Sequence, residues 1–277
     1  LPSTYPTGGG GSPAAPRARR ACIWLAAVLA LPWAAPATAE DGLAIAPYEA
    51  RYSIYRNGKL TGKMEVELLQ RGDRWIIRSA GTGTYGLARI LGARDTEEVQ
   101  GRARQGSLRP ERYQRHTLVA GLDESWTVGF DWDERQVSIS HNDHEPLVLD
   151  MVGDSLDPLS LKLEMRRRMA AGNPDLRFQM VEEDEIDEQN FRVLPEERLE
   201  TSLGCLVTLP VEKIRLNSRR YTRAWHAPAL GFMEVRMEHG KTGGNHLEMR
   251  ITELSVDGKD ISPRPGCAAV RQDSGES

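Results

Sequence analysis

The sequence predicts a mainly β protein: a strongly curved antiparallel sheet that forms a half-open or closed barrel, with one main α-helix at about residues 157–171. Three observations lead to this fold class. Several segments alternate apolar and polar residues with the period of two that is typical of a half-buried strand. Tight turns such as Asn57-Gly58 separate neighbouring segments, as in hairpins. One stretch carries the start and stop signals of a helix of several turns. Because so many antiparallel strands bury their apolar face by curling, we expect a barrel-like shape.

The alternation begins near residue 48. Tyr48, Ala50, Tyr52 and Ile54 alternate with polar residues, and Asn57-Gly58 then turns the chain into a second strand. The other predicted strands are 64–68, 75–85, 126–132, 137–139, 206–216, 219–226, 232–238 and 246–254.

The main helix has signals at both ends. Asp157 suits the N-cap position, where its side chain accepts hydrogen bonds from free amides, and Pro158 suits the first helical position. Gly172 suits the residue after the helix, and Pro174 prevents continuation. A shorter helix is predicted at 87–91.

Residues 1–39 are predicted to be a disordered extension followed by a secretory signal peptide. A basic segment at 17–20 precedes an apolar run at 21–31, and Ala37-Thr38-Ala39 has the small residues of a cleavage site. The apolar run is shorter than the roughly twenty residues that a membrane-spanning helix needs. We therefore expect an exported protein that is soluble after cleavage near Ala39 and not integral to the membrane. An uncleaved N-terminal anchor is the alternative.

Charge and cysteine content narrow the function classes. The chain has 277 residues and a formal charge of −4, and loss of residues 1–39 removes three arginines and no acid, which gives −7. An acidic exported chain without a binding motif is not expected to bind nucleic acid. Residues 40–260 are predicted to form a single β-rich domain, and 261–277 a disordered tail. Cys205 and Cys267 remain after cleavage and, in an oxidising compartment, either form a disulfide or stay unpaired.

The segment 222–236, around Trp225 and Pro228, resembles the tryptophan–proline motif of domain-of-unknown-function family 3108, whose members are exported proteins of Gram-negative bacteria. The residues that match the family pattern are Asp157, Ser160, Gly204, Trp225 and Pro228, and Glu234 stands where the family has proline. The resemblance extends over about 46–258. It implies a periplasmic β-rich domain and no particular reaction. We interpret the motif residues as structural, with Trp225 and Pro228 setting a strand end and a corner.

Two local patterns are candidates for chemistry. Gly153-Asp154-Ser155-Leu156 resembles the signature of the GDSL esterases, but no Asp-x-x-His pair follows that could supply an oriented base. Helix capping by Asp154, Ser155 or Asp157 is the other interpretation of this segment. His141 and His144 lie among acidic residues and are a candidate metal site. On a strand their odd spacing would direct them to opposite faces, and a solvated hairpin loop is the other interpretation.

The aromatic residues of the predicted sheet favour ligand binding. Trp75, Trp126, Phe130 and Trp132 are expected to line a concave apolar face, or alternatively to fill a closed core. We expect a non-enzymatic periplasmic protein that binds a lipid or another apolar ligand there, or that contacts an envelope partner, without a cofactor. The alternatives are the hydrolase with the serine or metal site described above and a structural envelope scaffold that joins partners through its sheet edges.

Overall fold

The computed structural model describes residues 43–268, with the exception of 105, 143, 174 and 217. The predicted extension, the signal peptide and the cleavage site near Ala39 lie outside the described residues, as does the predicted tail from 269 onward. Strands dominate the described part, which confirms the mainly β fold class. None of the described helices has the length and apolar character needed to cross a membrane.

Seventeen strands and two α-helices make up the described fold. The first strands are β1 (Tyr48–Arg56), β2 (Lys59–Arg71), β3 (Arg74–Gly83), β4 (Arg94–Arg104), β5 (Ser107–Val119), β6 (Leu122–Asp131), β7 (Gln136–His141) and β8 (Leu147–Asp150). The later strands are β9 (Ser155–Leu156), β10 (Arg177–Val181), β11 (Ile186–Val193), β12 (Glu197–Thr201), β13 (Gly204–Lys213), β14 (Arg220–Ala227), β15 (Met233–Lys241), β16 (His246–Val256) and β17 (Lys259–Asp260). The helices are α1 (Gly86–Ile90) and α2 (Pro158–Ala170), and a 3-10 turn spans Pro228–Leu230.

The strands form two meanders that meet at β1. Each strand from β1 to β8 pairs antiparallel with the next. β13 to β16 also pair in chain order, and β16 then pairs antiparallel with β1. β11 pairs with both β10 and β13, and β12 forms a hairpin with β13. β9 is parallel to β10, so the sheet is mixed and not purely antiparallel as predicted.

The sheet curves strongly but does not close. Among the described residues, no ladder joins β8 at one end of the sheet to β9 or β10 at the other. Side chains bridge the gap instead. Nε2 of His141 lies 2.9 Å from the carbonyl oxygen of Glu183, just after β10. Val181 of β10 belongs to the same apolar cluster as Ile139 of β7. The structure is therefore the half-open form of the predicted barrel.

Helix α2 lies inside the curve of the sheet. Leu159 and Leu163 pack into the apolar cluster of the first meander. Leu161 and Met165, which point to other sides of the helix, pack with residues of β10 and β13. Most of the helix surface is buried as a result, and α2 divides the interior of the sheet.

Helix α2 begins where the sequence predicts. Oδ1 of Asp157 accepts hydrogen bonds from the amides of Leu159 and Ser160, both at 3.0 Å, and Oδ2 accepts one from the Ser160 hydroxyl. Burial raises the pKa of Asp157 to about 6. Gly172 follows the helix with φ of +68°, the left-handed conformation that glycine adopts without strain. Pro174 lies outside the described residues.

Trp225 and Pro228 lie at the end of β14. Trp225 is buried, and the guanidinium carbons of Arg236 and Arg223 lie 4.9 and 5.8 Å from its ring centre. Its Nε1 donates a hydrogen bond to Glu197 of β12. Pro228 starts the 3-10 turn that leads towards β15. Trp225 therefore holds β12, β14 and β15 together.

Residues 261–268, which the sequence analysis placed in a disordered tail, lie against the start of β13. Cys205 and Cys267 form a disulfide in the structure. The amide of Arg264 donates to the carbonyl oxygen of Leu203 at 2.9 Å. These contacts attach the segment to the domain.

Candidate functional site: two chambers inside the curved sheet

A small chamber of about 140 Å³ lies between α2 and the inner face of the sheet where the two meanders meet. Its walls come from β1 to β4, α2 and β14 to β16: Tyr48, Tyr52, Met64, Val66, Ile77, Ser79, Glu97, Pro158, Leu159, Lys162, Leu163, Arg166, His226, Met233, Glu234 and Met249. Apolar side chains predominate, but several ionisable groups project among them.

A large chamber of about 250 Å³ lies between α2 and the second meander. Its apolar walls are Leu161, Met165, Met180, Phe191, Val211, Ala224 and Met237, and its remaining lining residues are Pro158, Lys162, Gln189, Lys213, Arg215, Thr222, His226, Glu234 and His239. Three of the walls are methionines, whose flexible side chains adapt to apolar groups of different shape.

Four residues, Pro158, Lys162, His226 and Glu234, border both chambers and form a shared wall. Nζ of Lys162 lies 3.6 Å from Oε1 of Glu234. The negative charge of Glu234 raises the pKa of Lys162, so the ion pair is formed at neutral pH. Lys162 is surrounded by protein, yet about half of its side-chain surface stays accessible because it faces the chambers.

Arg166 is a buried cation at the edge of the small chamber. Its Nη2 and Nε atoms donate to the carbonyl oxygen of Gly231 at 3.2 and 3.4 Å, and its guanidinium lies over the ring of Tyr48 at 4.7 Å. Among the described residues, Nη1 has no hydrogen-bond partner and no carboxylate lies within 4 Å of the guanidinium. A buried arginine in this state has bonding capacity left for a polar group in the chamber.

His226 presents a second polar atom to both chambers. A β-bulge between Trp225 and His226 directs the imidazole inward beside Glu234. Nδ1 lies 3.1 Å from the carbonyl oxygen of Phe232. Because a carbonyl only accepts, Nδ1 carries the ring proton and Nε2 has a lone pair. No described residue donates to this Nε2 atom. Burial lowers the pKa of His226, which keeps the imidazole neutral.

A group of basic residues borders the large chamber at the ends of β13 and β15. Nη1 of Arg215 donates to Oγ1 of Thr222 at 3.2 Å, and Nδ1 of His239 lies 2.8 Å from the same hydroxyl. Burial lowers the pKa of Lys213 and of Arg215, and the charge of Arg215 lowers that of Lys213 further. We call Lys213, Arg215 and His239 the basic rim.

The four aromatic residues predicted to bind ligand lie elsewhere. Trp75 and Trp126 are buried in the apolar cluster of the first meander, against neighbours such as Val99. Phe130 and Trp132 border a surface cleft of about 660 Å³ on β4 to β8 whose other walls are mostly polar and charged. None of the four lines either chamber, so their assignment as ligand-binding residues stays a prediction that the chamber geometry does not support.

Ser155 is fully buried at β9, and its hydroxyl is used locally. Oγ donates to the carbonyl oxygen of Val152 at 3.0 Å and accepts from the Val152 amide at 3.2 Å. No histidine of the described chain is hydrogen-bonded to it. Ser155 therefore bonds the Val152 backbone and does not cap α2, whose N-cap is Asp157.

His141 and His144 are not brought together as ligands. The ring of His141 stacks on Trp126, with centroids 6.1 Å apart, and bonds the backbone beyond β10. His144 is exposed, with its amide bonded to the carbonyl oxygen of His141 at 2.9 Å. The described residues contain no group of three potential metal ligands.

Sequence reasoning did not find the chamber residues. Lys162 and Arg166 lie within the predicted helix, and Lys213 and His239 belong to strands that are distant in sequence. One signal was present: His226 lies inside the family motif next to Trp225. Because successive side chains of a regular strand point to opposite faces of the sheet, Trp225 and His226 would have been placed on opposite faces.

The comparisons with known proteins agree with the fold. A model of the family described as "Protein of unknown function (DUF3108)" matches residues 48–252. Among curated proteins, no match is found. A crystal structure of a beta-barrel-like protein of domain of unknown function DUF1849 from Brucella abortus is similar, with a TM-score of 0.51, 10% identity, and coverage of 76% of this chain and 98% of that chain.

Two further crystal structures are less similar. One is a candidate lipoprotein from Parabacteroides distasonis ATCC 8503, with a TM-score of 0.31 and 8% identity over 78% of this chain and 98% of that chain. The other is a candidate exported protein with a YmcC-like fold from Bacteroides fragilis NCTC 9343, with a TM-score of 0.30 and 11% identity over 75% of this chain and 95% of that chain. The similarity to the Brucella structure concerns the barrel-like fold alone. Because the family match extends from β1 into β16, the chain belongs to the DUF3108 family.

Proposed function

We propose that this protein is a non-enzymatic periplasmic protein that holds the apolar chain of a lipid-like ligand inside its curved sheet. The observation that carries the proposal is the large chamber, an interior space of about 250 Å³ with walls of aliphatic, methionine and phenylalanine side chains. Ligand sites in proteins are mostly apolar concavities with a few polar groups at defined positions. The chamber has both features.

The size of the interior supports a chain-like ligand. The large chamber corresponds to about eight water molecules at liquid density, and the small chamber of about 140 Å³ adds space beyond the shared wall. Together they reach the lower part of the range of about 300–1,000 Å³ that is usual for small-molecule sites. A flexible acyl chain fits such a divided space better than a rigid, bulky ring system does.

Buried polar atoms without partners give further support. Nη1 of Arg166, Nε2 of His226 and Oε1 of Gln189 belong to residues that line the chambers, and none of them bonds another described residue. Buried polar atoms in proteins nearly always have a partner. A ligand with polar atoms, or water that accompanies it, supplies such partners.

The periplasmic location rests on two features. Residues 17–39 have the order of a secretory signal peptide, from basic segment to apolar run to small-residue cleavage site. Cys205 lies in bonding contact with Cys267, and disulfides persist in oxidising compartments such as the periplasm.

The test is native mass spectrometry of the protein purified from the periplasm without detergent, followed by organic extraction. We expect a bound mass of lipid size, whose fragmentation identifies the ligand class. In parallel, displacement of the neutral dye N-phenyl-1-naphthylamine measures binding of added 1-decanol. A protein that carries no ligand and binds neither dye nor alcohol contradicts the proposal.

A chamber-filling variant locates the site. Ala224 lines the large chamber, so Ala224→Leu places three further carbons in it and should weaken dye binding at least about tenfold. Ala170→Leu makes the same change at an exposed position at the end of α2 and should leave dye binding unchanged. Equal affinities in the two variants would place the dye outside the chamber.

One observation favours binding of an envelope partner as a second function. β8 lies at an end of the sheet and pairs only with β7 among the described strands, and it exposes Leu147 and Val148. Such an edge can accept a strand of another protein. If it does, Val148→Lys should abolish recovery of a stoichiometric partner from periplasmic extracts, whereas Ala224→Leu should not. Recovery of no protein at all argues against this second function.

A further inference from the structure

The basic rim is a set of hydrogen-bond donors around the edge of an apolar chamber. Lys213 ends β13, Arg215 follows it, and His239 lies on β15, and all three line the large chamber. Apolar walls with cationic groups at their edge match an amphiphile, in which an apolar chain is joined to a charged head. The rim is basic although the predicted mature chain is acidic overall.

The rim cations lack local counterions. Among the described residues, no carboxylate lies within 4 Å of Nζ of Lys213 or of the guanidinium of Arg215. Glu182 and Asp187 are the acidic groups whose charges act on Lys213. Oε1 of Glu182 and Oδ2 of Asp187 each accept a hydrogen bond from Nε2 of Gln189, at 3.1 and 3.0 Å, and neither carboxylate forms an ion pair with the rim.

The hydrogen bonds of Thr222 determine what the rim offers. Its hydroxyl oxygen accepts from Arg215, and its one hydrogen is then free for Nδ1 of His239. With the hydroxyl as the donor to Nδ1, the ring proton of His239 lies on Nε2. Burial, followed by the charges of Arg215 and of Arg220, lowers the pKa of His239 and keeps the ring neutral. The rim therefore offers the Lys213 ammonium and the remaining guanidinium hydrogens of Arg215 as donors, together with the Nε2 hydrogen of His239 in the tautomer in which Thr222 donates to Nδ1.

We infer that the ligand of the large chamber carries an anionic oxygen headgroup, a carboxylate or a phosphate, which binds to Lys213, Arg215 and His239. This inference rests on the proposed function and names the class of its ligand. Guanidinium and ammonium groups bind oxyanions through charge-assisted hydrogen bonds, which are about twice as strong as neutral ones. An anion also relieves the repulsion between Lys213 and Arg215, which the partial burial of both groups strengthens.

The test compares the affinities of ligands that have the same chain length and different headgroups. Competition with N-phenyl-1-naphthylamine is measured for decanoate, decyl phosphate, 1-decanol and decyltrimethylammonium on the wild-type protein. We expect one or both anions to bind at least about tenfold more tightly than decanol, and the cation to bind more weakly than decanol. Because surface charge interactions are screened, the preference for an anion should shrink as salt is raised from 0.05 to about 0.5 M. The ratio between decanoate and decyl phosphate distinguishes a fatty acid from a phosphate-headed lipid.

Variants then assign the preference to the rim. Lys213→Gln with Arg215→Gln should reduce the preference for anions to less than about threefold, where the preference is the ratio of the anion and decanol affinities measured on the same variant. The control removes the same charge from the exposed β1–β2 turn, as Arg56→Gln with Lys59→Gln, and should behave as wild type. If the rim variant does not fold, the comparison of headgroups on the wild-type protein and its salt dependence still test the inference.

Three results are informative in different ways. Equal binding of decanol and both anions, or an anion preference that the rim variant keeps, overturns the inference and leaves the proposed function standing. Failure of all four compounds to displace the dye, with no ligand in the native protein, overturns both. Tighter binding of the cation than of decanol also overturns the inference, since it would show that the acidic residues Glu182 and Asp187 govern the rim.

Discussion

Gly204 lies directly against the backbone of Arg264: a β-carbon added at Gly204 would stand 2.2 Å from the carbonyl oxygen of Arg264. Gly204 also has φ of +96°, a conformation that residues with a β-carbon rarely adopt. The segment 261–268 crosses the start of β13 at Gly204, which is one residue before the disulfide-bonded Cys205.

We expect Gly204→Ala to lower the free energy of unfolding by more than backbone strain alone explains. The matched control is Gly58→Ala, which has φ of +75° and open space around its added β-carbon. In the control, the free energy of unfolding should fall by about 1–2 kcal/mol because alanine is strained in the left-handed conformation. In Gly204→Ala it should fall by at least about 2 kcal/mol more, because the added β-carbon displaces the segment around Arg264. Urea unfolding of both variants measures the difference. Equal losses would mean that the segment moves aside freely.

The elements that could be predicted are those with local signals. The Asn57-Gly58 turn has φ of +49° and +75°, as a tight hairpin requires, and the helix N-cap at Asp157 forms as expected. β4 and β5 were missed because charge pairs cover their outer faces, for example Arg102 with Glu111 at 2.8 Å. The sequences of such strands are polar almost throughout, so they show no clear alternation of apolar and polar residues.

The candidate site could not be predicted, because its residues meet only in the folded chain. Lys162 lies on a helix whose leucines at every second position resemble a strand, and nothing local indicates that this helix fills the interior. Its partner Glu234 is 72 positions away in sequence. The parallel pairing that makes the sheet mixed could not be predicted either. β9 and β10 are too short to show a reliable alternation, and they lie on either side of α2 in the sequence.

The disulfide should contribute substantially to stability. Cys205 and Cys267 are 62 residues apart, and closing a loop of that length stabilises the folded state by about 4 kcal/mol in the chain-entropy model. We expect the double variant Cys205→Ser with Cys267→Ser to lower the free energy of unfolding by about 2–4 kcal/mol. Reductant should destabilise the wild-type protein by a similar amount and leave the double variant unchanged. A wild-type protein insensitive to reductant would show that the bond contributes little.

The buried carboxyl of Asp157 should make stability depend on pH. Its pKa of about 6 lies above the ordinary value of 3.8, with burial as the main cause and the hydrogen bonds from Ser160 and Leu159 opposing it. Since the folded state holds the proton more tightly, this contribution to stability is complete below about pH 4 and is lost as the pH rises through 6. A shift of about two units corresponds to roughly 3 kcal/mol.

Asp157→Asn removes this titration and keeps an oxygen for the two amides. We therefore expect the stability of the wild-type protein relative to Asp157→Asn to fall between pH 4 and pH 8, by up to roughly 3 kcal/mol. Asp154→Asn changes an exposed neighbouring carboxyl and should follow the wild-type curve. Urea unfolding at several pH values gives all three curves. A constant difference between wild type and Asp157→Asn would show that Asp157 does not titrate in this range.

Replacement of Ser155 separates a structural serine from a nucleophile. Ser155→Ala removes two hydrogen bonds to Val152 and should lower the free energy of unfolding by about 1–3 kcal/mol. Hydrolysis of short p-nitrophenyl esters by the variant should equal that of the wild-type protein at the same concentration. Saturable wild-type hydrolysis that disappears in Ser155→Ala would revive the hydrolase alternative.

The ion pair of Lys162 and Glu234 should limit the chain length that the large chamber accepts, because it stands in the wall between the chambers. For a series of alcohols, each further buried CH₂ adds about 0.8 kcal/mol, or about fourfold in affinity, until the chain reaches this wall. Lys162→Ala with Glu234→Gln opens the wall without leaving an unpaired carboxylate, so the affinity should continue to rise for longer alcohols. Glu234→Gln alone keeps the lysine side chain in place. In this variant the affinity should stop rising at the same alcohol length as in the wild-type protein. If both variants level off together, the limit lies in the apolar walls of the large chamber and not in the ion pair.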